Sequence, residues 1–136
     1  MRHDDCIFCK IANGEIPSAT IYEDDDFRAF LDLNPATRGH ALLVPKDHFA
    51  NLLELDEEHA QAILLAKKLG TRMKKELGCD GLNLIQNNGE AAGQTVFHFH
   101  MHLIPRYRDD EAGIGWKQGS LTDEAKEELV GLFKED

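Results

Sequence analysis

The chain has 136 residues, enough for one domain with a core of its own, and 42% hydrophobic with 29% charged residues excludes a disordered or fibrous polymer. Fifteen Lys and Arg against 25 Asp and Glu leave a net charge of −10, a field that repels phosphate backbones and anionic membranes. No nucleic acid and no membrane is therefore expected as the main partner, although a few donors in a cleft still suffice for a small phosphorylated ligand.

Residues 7–13 read as a short helical turn ended by Gly14, followed by extended chain at 16–17 and 19–22. The alternation in 27–33 predicts a strand broken by Asn34-Pro35, and the apolar run 40–45 predicts its hairpin partner. From Asp56 the period changes. Ile63, Ala66, Gly70, Met73 and Leu77 recur at three and four, predicting a long helix over 55–77 that Gly78 ends. The longest purely apolar run, 62–66, lies inside it and is far short of the roughly 20 residues a bilayer requires. Residues 81–86 read as a strand, 87–93 as a turn-forming loop, 96–104 as a strand stopped by Pro105, and 122–133 as a short helix. Strands, one long helix and strands again predict an α+β fold with an antiparallel sheet. No repeat, low-complexity tract or linker divides the chain, so residues 1–136 read as a single domain. The first residues, Met-Arg-His-Asp-Asp-Cys, lack the apolar block of a secretory leader, so a cytoplasmic location is expected.

The informative segment is Val96-Phe97-His98-Phe99-His100-Met101-His102-Leu103-Ile104. On a strand, His98, His100 and His102 share one side and Phe97, Phe99, Met101 and Leu103 the other, with same-side residues roughly 6.6 Å apart. Chance places such a pattern in roughly two sequences per hundred of this composition, and three adjacent imidazoles make poor core packing. Two chemistries suit them: ligation of a catalytic metal, or nucleophilic and acid-base work on a phosphoryl group. Cys6-x-x-Cys9 has the spacing of half a tetrahedral zinc site, and it also suits two small buried thiols. Neighbours of a thioredoxin-like redox pair are missing, because these cysteines precede most of the sheet. Cys79, beyond the helix-ending Gly78, reads as packing, and His3 and His59 read as surface residues.

His98-Phe99-His100-Met101-His102-Leu103-Ile104 resembles the signature of the histidine triad (HIT) family of nucleotide hydrolases and transferases. Cys6-Ile7-Phe8-Cys9-Lys10-Ile11, Gly14-Glu15-Ile16-Pro17-Ser18, Phe30-Leu31-Asp32, Gly39-His40, Val44-Pro45-Lys46-Asp47-His48, Asn87-Asn88-Gly89 and Gly93-Gln94-Thr95 are similar to its other landmarks, in its order. The resemblance implies a HIT-like α+β fold, a homodimer with a continuous sheet, and a purine nucleotide or nucleotide conjugate as ligand. It implies that His100 attacks the α-phosphorus to form a nucleotidyl-histidine, with His102 and His98 completing the triad and no catalytic metal required. Phe8, Asp32 and Leu33 would form the base and ribose pocket, while Asn87, Gly93, Gln94 and Thr95 would lie on the phosphate side. The resemblance to Hint-type members with an N-terminal cysteine pair implies a structural zinc held by Cys6, Cys9, His48 and His98. Candidate substrates are nucleoside phosphoramidates, acyl adenylates and dinucleoside polyphosphates. The alternative is a zinc-containing nucleotide-binding or sensing module with little catalysis. Trp116 and the 106–119 segment, with Arg106 and Arg108, could reach a ligand or simply be solvated.

Overall fold

A computed structural model describes residues 2–134. Its elements are α1 (Ile7–Ala12), β1 (Thr20–Glu23), β2 (Phe27–Leu31), β3 (Ala41–Pro45), α2 (Ala62–Leu77), β4 (Gly81–Ile85), β5 (Met101–Arg106) and α3 (Asp123–Phe133). Among the described residues the strands form one antiparallel sheet in the order β1-β2-β3-β5-β4, the α+β arrangement predicted. No helix among the described residues is long and apolar enough to cross a membrane.

The two-residue period sorts the sheet into two faces. Phe27 and Ala29 of β2, Ala41 and Leu43 of β3, and Met101 and Leu103 of β5 join Phe99 beneath Ala62, Ala66, Leu69 and Met73 of α2. Phe30, Leu42 and Val44 turn the other way, where Phe8 and Ala12 of α1 cover them. Burying each Leu, Val, Phe or Met of these clusters is worth about 1.5–3 kcal/mol, so both helices are fastened by the same alternation. Gly78 ends α2 in the left-handed region at φ 61°, and its N–H bonds the Lys74 carbonyl at 3.0 Å.

Three expectations need correction. The long helix begins at Ala62 rather than Leu55, because Asp56 caps a separate 3-10 turn (His59–Gln61), accepting from the His59 N–H at 2.8 Å. Its inward face therefore starts on Ala62, leaving Ile63 half exposed. His59 is no surface residue: its ring is buried against Phe27 and Phe49 and meets Asp56 Oδ1 through Nδ1 at 2.7 Å.

The third correction concerns the histidine segment, which joins the ladder only at Met101, opposite Leu43. Upstream, the Phe99 N–H bonds the Phe49 carbonyl, and the Pro45 carbonyl ending β3 accepts from a histidine ring instead of a backbone amide. The alternation nevertheless survives from His98 onward; Phe97 departs from it and is half exposed. Pro105 does not stop the strand. Its carbonyl faces the β3 side, where the Thr37 hydroxyl donates to it at 2.5 Å, and β3 pairing has already ended at Ala41 opposite Leu103. A strand residue points its own N and O to the same side, so the N–H that proline lacks would have met no strand there.

Candidate active site and metal centre

Three rings emerge on the α1 face, and hydrogen bonds assign each a tautomer. His100 Nδ1 lies 2.7 Å from the His98 carbonyl, which can only accept, so Nδ1 carries the proton and Nε2 is a bare lone pair. His40 Nδ1 accepts the Ala36 N–H at 2.9 Å, which puts the His40 proton on Nε2. That Nε2–H points at His102 Nδ1, 2.9 Å away, so His102 in turn carries its proton on Nε2. Neighbouring rings, 5.1 Å apart between centroids, thus hold opposite roles: His100 offers a nucleophilic nitrogen and His102 a donor. Neither Nε2 has a partner among the described residues, and neither is among the solvent-sealed unpaired atoms, so both remain open to a ligand.

Burial keeps these rings neutral. Loss of solvent is the first cause of the lowered His100 pKa, opposed by the His98 carbonyl and by Asp32. His102 is pushed down to about 4, first by burial and then by the His100 and His40 rings, while Asp32 opposes the shift. His40 is lowered as well, chiefly by burial. Its Nε2 stands 3.6 Å from Asp32 Oδ2, whose other oxygen accepts the Asn34 N–H.

The remaining candidates fall into two groups. Phe8 is buried and presents an edge-on contact to His100, 5.0 Å between centroids. Leu33, by contrast, is 85% exposed just beyond β2. Asn87 packs beside Gly93, whose φ of 98° lets the chain reverse after the turn at Glu90–Ala92, and Thr95 is exposed near the cysteines. Gln94 is a correction, since it has no donor to spare. Its Nε2 is shared between the Ala50 and Val96 carbonyls, its Oε1 accepts the Gly89 N–H, and its own N–H bonds the Gly89 carbonyl. It shapes the loop rather than offering a side-chain donor. Arg106 is likewise occupied, by Asp110, Asn83 and the Ala112 carbonyl.

A second cluster lies behind His98. Cys6 Sγ, Cys9 Sγ, His48 and His98 place their ligand atoms within 4.8 Å of one another. Sulfur-to-nitrogen distances are 3.4 Å from Cys6 and from Cys9 to His98 Nδ1, and 3.3 Å from Cys9 to His48 Nδ1. A tetrahedral zinc with ordinary Zn–S and Zn–N bonds sets such edges at about 3.6 Å. His98 Nε2 lies 2.8 Å from the Pro45 carbonyl and must donate to it, which leaves Nδ1 bare and aimed at the sulfurs. Burial is the first cause of a Cys9 thiol pushed up to about 11, so a bound cation is what would make a thiolate stable here. The residues fit a metal.

Asp32, His40 and His102 also converge closely enough for an ion. They fit one poorly, because His40 Nδ1 already accepts an N–H, and a neutral imidazole then has no free lone pair at Nε2. The geometry there is that of a proton relay. His40 is the residue that sequence reasoning missed: Gly39-His40 was visible, but its partner lies 62 positions away.

Comparison with known proteins agrees with this layout. A family model described as the HIT domain matches residues 13–109. Adenosine 5'-monophosphoramidase hnt1 of Schizosaccharomyces pombe is 41% identical over 132 residues, covering 96% of this chain and 94% of that protein. A crystal structure of a HIT family member from Bacillus subtilis matches with a TM-score of 0.88 at 42% identity, over 95% of this chain and 94% of that one. A Zn-bound histidine triad family protein from Mycobacterium smegmatis matches with a TM-score of 0.75 at 34% identity, over 93% and 91% of the two chains.

Proposed function

The chain belongs to the HIT domain family, and from that premise we propose that it hydrolyses purine nucleotide derivatives at the α-phosphorus through a nucleotidyl-His100 intermediate. The observation that carries this reading is the pair of opposite tautomers, a bare Nε2 on His100 beside an Nε2–H on His102. His100 Nε2 attacks phosphorus as the bond to the leaving group breaks, and a site proton passes to that group. Water then attacks the phosphorus, the N–P bond breaks, and the nucleoside monophosphate leaves with a hydroxyl from water while the remaining proton restores the site. His102 Nε2–H faces the developing charge on the phosphoryl oxygens or leaving atom. Phe8 and Asp32 flank the reacting rings as walls of the nucleoside pocket, with Leu33 free to fold over a base; Asn87, Gly93 and Thr95 form the phosphate side.

The named activity of the fission yeast relative makes a nucleoside phosphoramidate the first substrate to test. Release of AMP and ammonia from adenosine 5'-phosphoramidate is expected to exceed turnover of a dinucleoside tetraphosphate, and absence of both activities would leave the sensing-module reading. On that assay the acid limb of kcat/KM is expected below 6.5, because burial lowers both the His100 nucleophile, whose Nε2 must be bare, and His102, which titrates near 4. The unfolded chain takes up the same proton near its ordinary 6.5, so native stability falls as pH drops from 6.5 toward 4. An acid limb at 6.5 or higher would contradict the neutral relay.

His40 is a positioning residue in this scheme. His40→Ala is expected to lower kcat about 10- to 100-fold with little change in KM, and to move the acid limb. His40→Asn, which can present one amide N–H toward His102, should recover part of the loss; equal loss in both variants would mean a merely structural role.

The metal at Cys6, Cys9, His48 and His98 is zinc in this reading, structural because four protein ligands leave no open position. It would supply a crosslink between α1 and the strands flanking the site. A homodimer is supported by β4, a sheet edge whose Leu82 and Leu84 are about 40% exposed.

A further inference from the structure

Among the apolar surfaces that the described residues expose, two have matching dimensions. One is on α3, where no residue is buried: Leu129 is 37%, Leu132 67% and Phe133 77% exposed. At 100° per residue Ala125, Leu129, Leu132 and Phe133 share a face, and Glu124 and Glu128 run along its edge one turn apart. An isolated helix of 11 residues is shorter than the roughly 12–15 needed for even marginal stability in water, so α3 calls for a surface to lie on.

The other surface is a groove of about 780 Å³ between α2 and the β1–β2 edge, on the sheet face away from the histidines. Its floor includes Ile21, Leu31 and Met73, the first two about 40% exposed. Lys68, Arg72 and Lys75 line it from α2 at spacings of four and three, with Glu76 the one acid among the lining residues, 4.0 Å from Arg72, so the wall is net basic on a strongly acidic protein. Lys68 to Leu77 spans roughly 15 Å of helix and α3 roughly 16 Å.

We propose that this groove receives α3 from a second copy of the chain, the apolar face against Ile21, Leu31 and Met73 and the Glu124–Glu128 edge along Lys68 and Arg72. The opposite charges repeat at one-turn spacing on both helices, which sets the register. A second copy is the occupant because α3 stands clear of its own groove. Arg106 clamps Asp110 and the Ala112 carbonyl against Asn83 of β4, at the opposite sheet edge from β1, and no α3 residue lines the groove. Reciprocal exchange in a two-fold dimer fills both grooves at once and is separate from any pairing through β4.

Mixing full-length Arg72→Cys and Glu128→Cys chains in a glutathione redox buffer tests this, since only a contact between copies can join them. A disulfide-linked dimer is expected in the mixture, at least tenfold more than from either variant alone or from Glu128→Cys mixed with Glu90→Cys. Glu124→Lys added to the Glu128→Cys chain should cut the yield severalfold, and Lys68→Glu in the Arg72→Cys chain should restore it. No excess of linked dimer over the controls overturns the proposal. So does a double variant, Arg72→Cys/Glu128→Cys, that closes only within one chain, which would place α3 in its own groove.

Discussion

His100→Ala is expected to reduce kcat by about 10⁴- to 10⁶-fold, the scale seen when an enzyme loses its nucleophile. Single-turnover reaction with nucleotide labelled on the α-phosphate should trap acid-labile label on the native protein and none on the variant. The physical case is that no neighbour can substitute. His102 is held in the tautomer whose free nitrogen carries a proton, and His98 directs one nitrogen at the Pro45 carbonyl and the other at two sulfurs. The variant should fold, because the lost ring bonds only a carbonyl two residues away and Phe99 and Met101 still pack under α2. Retained turnover, or label on another residue, would remove His100 from its role.

Loss of zinc is the second large effect. Protein grown with zinc is expected to hold one equivalent per chain, and Cys9→Ser or a strong chelator should release it and lower the melting temperature by about 10 °C or more. Three tethers go with the metal: α1 through Cys6 and Cys9, the end of β3 through His48, and the approach to β5 through His98. Turnover should fall with it although the proposed zinc would be structural. The backbone carbonyl of His98 fixes the His100 proton, and Phe8, one residue before Cys9, packs edge-on against that ring. Metal analysis finding no zinc in such protein, or a chelated form with unchanged melting and rate, would rule out this coupling.

The short-range features were legible in the chain itself. Alternation in 27–31 and 98–103 assigned residues to the two sheet faces, Gly78 ended α2, and two cysteines one helical turn apart marked a half-site for metal. Where reading failed, a distant group had intervened. The Pro45 carbonyl taken by the His98 ring left the histidine segment outside the ladder until Met101. Three backbone groups consumed Gln94, and the two phenylalanines around His59 buried a ring that its acidic neighbours suggested was solvated.

By itself the sequence determined that three imidazoles leave one side of an extended segment, because side-chain direction in extended chain is a property of each residue and its neighbours. Tertiary structure alone decided what each imidazole can do. A ring's proton goes wherever its other nitrogen finds an acceptor, and those partners are brought from far along the chain: His40 to His102 across 62 positions, Cys6 to His98 across 92. The same residue type, repeated at a spacing of two, thereby presents a bare nitrogen to two sulfurs at His98, an open lone pair at His100 and an N–H donor at His102.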